Sequence, residues 1–312
     1  MIEVASVSKM PVEYLHKSRQ SALRDRAMFA GVGLHTGEQT RVVLHPAAAN
    51  SGIVFRRWGF DGDGTATGDA LAEATIYCAP ENVISSDHGT TLSNAAGLSI
   101  ATIEHLLAAL AIVEIDNVEI DVFGPEIPIL DGSAAEFVSQ LRQVGVRHYN
   151  EPRREIIITE PINIIDGERS LSIVPADYFR MSIEIDFGDC LIGKQATTFT
   201  FDDADGLERM AKARTFCRLS EVEPLRAAGL IRGGSTQNSL VVDGKSLVDG
   251  TSLRDPLEFV LHKGLDLLGD LYLLGMPVRG EIRAVRPGHD LNRRMALALS
   301  SLAVPELTAT RV

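Results

Sequence analysis

The sequence has too few cysteines for a disulfide frame, no apolar run long enough for a membrane span and no surplus of positive charge. Each lack excludes a class of protein. Cys78, Cys190 and Cys217 are odd in number and scattered. They fit a reducing compartment, and their spacing is not that of a zinc ribbon. No uninterrupted apolar stretch approaches the ~20 residues of a transmembrane helix, so no stable membrane insertion is expected. The start, Met1-Ile-Glu-Val-Ala, has neither the basic segment nor the apolar core of a signal peptide. The expected location is cytoplasmic. A net charge of -12 argues against general nucleic-acid binding. What is present is ordinary globular composition, 45% hydrophobic and 23% charged over 312 residues. That suffices for one large domain or two modest ones.

One apolar run carries unexpected polar groups: Phe259-Val-Leu-His-Lys-Gly-Leu-Asp-Leu-Leu-Gly-Asp-Leu. On a helix His262, Asp266 and Asp270 fall on nearly one face. A polar stripe in a buried helix costs free energy unless it is paired or coordinated. Taken alone, an ordinary i,i+4 hydrogen bond between His262 and Asp266 is the simpler reading. A third ligand elsewhere would favour a metal, since a catalytic zinc takes three protein ligands and keeps one open position.

Thr102-Ile-Glu-His-Leu-Leu-Ala-Ala-Leu offers that ligand. It reads as a helix start with Thr102 as the cap. Glu104 and His105 would point about 100° apart, yet near a helix end both can border one site. A histidine that binds zinc beside a glutamate that handles the proton of the attacking water is a known division of labour. The alternative is a surface glutamate and a core histidine. Arg279, Arg283, Arg286, Arg293 and Arg294 bracket Pro287-Gly288-His289 and suggest a site for a compact anion.

The chain divides as follows. Residues 1–15 form a loose N-terminus. A first α+β domain spans 16–145 with an insertion at about 62–98, and 146–153 is a linker. A second α+β domain spans 154–305 with an insertion at about 203–240, and 306–312 is a tail. Thr36-Gly-Glu-Gln-Thr-Arg-Val-Val-Leu-His-Pro-Ala and Asp166-Gly-Glu-Arg-Ser-Leu-Ser-Ile-Val-Pro-Ala share a Gly-Glu turn, a strand and a Pro-Ala exit. They point to a weak internal duplication. Helices near 103–113 and 257–273 then occupy equivalent places, and His105 and His262 meet where the halves join. Ser133 and Glu136 read as a capping box. Helical patterns cover Leu207–Ala213 and Leu219–Ala228.

Eight ordered motifs carry a resemblance over nearly the whole chain. They are Gly31-Val-Gly-Leu-His-Thr-Gly, Thr102-Ile-Glu-His-Leu-Leu-Ala-Ala-Leu, Ile115-Asp-Asn, Pro128-Ile-Leu-Asp-Gly-Ser, Ala213-Arg-Thr-Phe, Gly233-Gly-Ser, His262-Lys-x-x-Asp and Gly288-His-x-Leu-Asn. In this order they resemble the UDP-3-O-acyl-N-acetylglucosamine deacetylase family of lipid A biosynthesis. The resemblance implies a zinc-dependent amidase that releases acetate from UDP-3-O-acyl-N-acetylglucosamine. It implies an α+β fold of two similar β-α-α-β domains, with helices sandwiched between the sheets and an insertion in each domain. His105, His262 and Asp266 match the zinc ligands and Glu104 the general base. His289 matches the histidine near the leaving amine, Asp270 the carboxylate that orients it and Thr215 a group that helps stabilise the oxyanion. Lys263 and His35 match residues near the diphosphate and sugar, and Phe216 and Val222 fall in the acyl-chain tunnel. The expected partner is that UDP-sugar, and the expected state a monomer. The rivals are a zinc amidase acting on another amide and a catalytically silent binder of the same sugar, which would be expected to have lost Glu104 or a ligand.

Overall fold

The computed structural model describes residues 12–15, 18–59 and 69–302. Two five-stranded sheets repeat one topology. In the first half lie β1 (Ala27–Val32), β2 (Gln39–Pro46), β3 (Ile53–Trp58), β4 (Thr75–Tyr77) and β5 (Val118–Phe123). Their spatial order is β1-β2-β5-β3-β4, and only the β5–β3 pair is parallel. In the second half lie β6 (Ile162–Asp166), β7 (Arg169–Val174), β8 (Arg180–Asp186), β9 (Lys194–Thr200) and β10 (Glu281–Val285). Their order is β6-β7-β10-β8-β9, again with one parallel pair, β10–β8. The expected duplication is therefore present strand for strand.

Setting the insertions aside, each half sends one helix between its fourth and fifth strands and one after the fifth. These are α1 (Glu104–Val113) and α2 (Ala135–Val144), then α3 (Glu258–Leu271) and α4 (His289–Leu302). α1 packs on α2 and α3, and α3 packs on α4, β8 and β9. The burial pattern explains the layering. In β8 Met181, Ile183 and Ile185 are buried while their neighbours are not, so the sheet has one core face. Burying each such side chain contributes roughly 1.5–3 kcal/mol. α1 is buried from Glu104 through Ile112, which fits a helix apolar on nearly every side and placed centrally.

Several expectations change. Thr102 does not cap α1. The cap position is Ile103; Thr102 takes φ +56° and its hydroxyl donates to Glu126 Oε1 at 2.7 Å. The left-handed backbone at Thr102 turns its hydroxyl toward the Glu126 carboxylate, away from the backbone N–H groups that a cap would accept from. Ser133 makes no capping box either: its hydroxyl donates to Asp131 Oδ1 at 2.7 Å, and α2 starts at Ala135. The stretch 146–153, expected as a linker, runs as a strand, Val146–Pro152, antiparallel to Arg19–Leu23. Of the stretch expected to be loose, Val12–Leu15 pairs with Glu155–Ile158. Residues 1–11 and the tail at 306–312 lie outside the described residues, as do 60–68 in the first insertion. The expected insertion at about 62–98 is not wholly one, since Thr75–Tyr77 within it is β4 of the main sheet; beyond that strand, Val83–Ser85 and Thr91–Ser93 form a small sheet with Ser99–Ile100. The second insertion holds helices Ala204–Ala211 and Leu219–Ala227 and the strand Phe216–Arg218. Among the described residues, no helix is long and apolar enough to cross a membrane.

Candidate active site

The site forms where α1 crosses α3. Gly269 makes the crossing possible, because a Cβ there would lie 2.1 Å from the carbonyl oxygen of Glu104. With no side chain at 269, the first turn of α1 lies directly against the polar stripe of α3. His105 from one half then joins His262 and Asp266 from the other. One ligand atom from each lies within 4.8 Å of the other two, and all three residues are buried.

The plain hydrogen-bond reading of His262 and Asp266 fails on geometry. The Nδ1–H of His262 donates to the carbonyl of Ala213 at 3.0 Å, which leaves Nε2 of the neutral ring as a bare acceptor. That Nε2 faces Asp266 Oδ1 at 3.3 Å, and His105 Nε2 faces the same oxygen at 3.7 Å. Burial lowers the pKa of His262 and pushes His105 down to about 3, so both rings are neutral. Burial disfavours the Asp266 anion, but the positive charge around it, that of Lys263 at 2.8 Å above all, outweighs burial and holds the carboxyl below the usual range. Two neutral imidazoles and an anion thus converge in a buried space, with the bare Nε2 of His262 facing an oxygen of Asp266. A cation between them would relieve that arrangement, and zinc accepts this donor set.

Glu104 and His289 stand beside the group. Glu104 Oε2 accepts from the backbone N–H of Thr90 at 3.1 Å. Burial pushes Glu104 up to about 7, against the opposing pull of His289. Burial alone would lower His289, but Asp270, reached by its Nδ1–H at 2.8 Å, more than compensates and raises it to about 9. Asp270 also accepts from the Thr90 hydroxyl at 2.5 Å and from Asn292 Nδ2 at 2.8 Å.

A cavity of about 1060 Å³ opens over these groups. It is lined by every site residue that the family resemblance implied except Asp270, which stands behind His289. Thr215 is held on both backbone sides, its N–H donating to Gly132 and its carbonyl accepting from Leu240, each at 2.8 Å. Phe216 packs edge-on to Phe259 and lines the same cavity as Val222. Lys263 Nζ lies 2.8 Å from Asp266 Oδ2 and 5.6 Å from the Phe216 ring centroid. His35 Nε2–H donates to the carbonyl of His88 at 2.9 Å.

The arginine cluster does not converge here. Arg279 pairs with Glu155, Arg283 with Glu281, Arg286 with Glu168 and Asp186, and Arg294 lies by Asp166 and Asp290. None of the five lines the cavity. β10 carries Arg283 and α4 carries Arg294 toward nearby acids, and the arginines that do line the cavity are Arg169, at the start of β7, and Arg226, in the helix Leu219–Ala227. Sequence reasoning also passed over Thr90, Glu126 and Asn292. Asn292 had a signal, since it closes the Gly288-His-x-Leu-Asn motif. Thr90 had none, in an insertion without clear periodicity. Glu126 is fully buried and accepts from the His35 and Thr36 backbones and from the Thr36 and Thr102 hydroxyls.

A duplicated α+β frame with such a donor set, a carboxylate and a charged histidine at one cavity defines a candidate metal-assisted hydrolase. More specifically, the chain belongs to the UDP-3-O-acyl N-acetylglycosamine deacetylase family, which it matches over residues 20–301. A protein of Phenylobacterium zucineum named UDP-3-O-acyl-N-acetylglucosamine deacetylase is 45% identical over 282 residues, 90% of this chain and 93% of that one. Proteins of the same name from Vibrio parahaemolyticus and Geotalea uraniireducens are 39% and 37% identical. The alignments cover 90% of this chain in each case, and 90% and 88% of theirs.

Proposed function

We propose that the protein is a zinc-dependent deacetylase. It hydrolyses the N-acetyl amide of UDP-3-O-acyl-N-acetylglucosamine to UDP-3-O-acyl-glucosamine and acetate, an early step of lipid A biosynthesis. Membership of the family supports the reaction. The observation that carries the chemistry is the buried group of His105, His262 and Asp266 beside Glu104 and His289.

His105, His262 and Asp266 would hold the zinc. Bound there, zinc would lower the pKa of a water to about 7 and polarise the acetyl carbonyl. Glu104 accepts the proton of the attacking water. His289, kept charged by Asp270, gives a proton to the nitrogen as the amide C–N bond breaks. Thr215 helps to stabilise the oxyanion. Lys263 and His35 act near the diphosphate and sugar, while Phe216 and Val222 wall the acyl chain. The protein works as a cytoplasmic monomer.

The test is metal content together with acetate release from UDP-3-O-acyl-N-acetylglucosamine by the purified protein. Release that follows zinc loading is expected; a zinc-loaded protein that leaves this substrate intact would sink the reading. An amidase acting on another amide would share the metal group but have no use for an apolar wall at Phe216 and Val222.

A further inference from the structure

We infer that Thr90 is a positioning residue that ties the Glu104 carboxylate to the His289–Asp270 pair, fixing proton acceptor and proton donor relative to each other. The inference rests on the deacetylase reading above. Thr90 is 1% exposed and comes from the first insertion, outside both helices that carry the site. Its backbone N–H holds Glu104 Oε2 at 3.1 Å, and its hydroxyl proton holds Asp270 Oδ1 at 2.5 Å. One residue thereby occupies one oxygen of each carboxylate and leaves the other for chemistry. The free Glu104 Oε1 lies 3.9 Å from His289 Nε2, and Asp270 Oδ2 receives His289 and Asn292.

The loop is shaped for this contact. His88 takes φ +61° and Gly89 φ +153°, and the His88 carbonyl is held by His35 Nε2 at 2.9 Å. A Cβ at Gly89 would lie 3.2 Å from Glu104 Oε1, so glycine keeps that oxygen clear. A left-handed non-glycine residue such as His88 costs of order 1 kcal/mol, and the loop adopts it while delivering Thr90 between the two carboxylates. A threonine hydroxyl has one proton and three staggered rotamers, restricted by its branched Cβ. Once that proton is committed to Asp270, the carboxylate cannot turn away from His289 without breaking a charge-assisted bond.

Thr90→Val keeps the backbone N–H and the shape but removes the hydroxyl proton; Thr90→Ser keeps the proton. In zinc-loaded enzyme, Thr90→Val should lower kcat about 10- to 100-fold, the worth of a hydrogen bond to a charged group. KM and zinc content should stay near wild type, and Thr90→Ser should restore most of kcat. A second readout needs no turnover: the His289 Nδ1 proton, seen by NMR as a downfield, slowly exchanging signal in wild type and Thr90→Ser, should be lost in Thr90→Val. Should the valine protein fail to fold, Thr90→Ala removes the same donor with less bulk. Wild-type kcat and an intact Nδ1 signal in the valine or alanine variant would overturn the inference, as would a serine variant as impaired as valine. A wild type inactive on the substrate would count against the deacetylase reading, while the NMR comparison would still decide the role of Thr90.

Discussion

Nε2 of His289 lies 3.9 Å from Oε1 of Glu104, too far for a hydrogen bond and near enough for both to reach one bound amide. The two groups are poised in opposite senses. Burial makes Glu104 a stronger proton acceptor, and Asp270 makes His289 hold its proton. The proposed roles follow from that opposition, and so do their tests.

The metal group gives the first. Zinc close to one per chain is expected by elemental analysis of the wild type, and little in His105→Ala or His262→Ala, since each removes one of three ligands. Equal zinc in all three proteins would show that the metal, if any, sits elsewhere.

Glu104→Gln removes the base but keeps its shape. Fold and zinc content should persist while kcat drops ~100- to 10,000-fold, the usual worth of a general base. Near-normal turnover in a zinc-loaded variant would move the role to another group.

The pH profile carries a sign. A base serves only when ionised, so kcat/KM should rise with pH through the value of Glu104, at or below about 7, because a cation beside it favours the anion. An acid serves only when protonated, and the same cation disfavours the imidazolium, so activity should fall with rising pH through the value of His289, at or below about 9. Asp270→Asn removes the charge that retains that proton and should move the basic limb to lower pH. An unmoved limb would assign it to a different group.

Two glycines of α3 separate close approach from simple packing. Gly269→Ala drives a methyl group into the backbone of Glu104, whereas at Gly264 the nearest atom, at 2.9 Å, is the tip of the Ile183 side chain. Overpacking typically costs ~1–3 kcal/mol. Gly269→Ala should exceed Gly264→Ala in lost Tm and should also lose zinc, because it parts His105 from His262. Thermal melts of both variants with zinc analysis check this, and an equal loss would refute the special role of the crossing.

Chain length tests the apolar wall. If Phe216 and Val222 line the acyl site, kcat/KM should fall as methylenes are removed, by up to ~0.8 kcal/mol for each one buried. A series of shorter acyl substrates measures this directly, and a flat series would leave those residues without that role.

Much of this was legible in the chain because it is local. The i,i+4 spacing of His262, Asp266 and Asp270 follows from helix geometry alone. The duplication shows in two Gly-Glu turns, and both prove to be hairpin connections with left-handed Gly37 and Gly167, the first spanning residues 33–38 and the second only 167–168. Local spacing could not decide whether His262 and Asp266 bond each other or face a metal. That depended on Ala213, 49 residues away, taking the Nδ1 proton, and on His105 arriving from the other half. The arginines around Gly288 failed as an anion site for the same reason: neighbours in sequence were turned by strand and helix toward separate acids. Thr90 had no pattern to betray it, because its partner Asp270 stands 180 residues away. Periodicity along one element determined which residues share a face. Which faces meet was decided only by the crossing of α1 and α3, where a missing side chain at Gly269 lets two backbones touch.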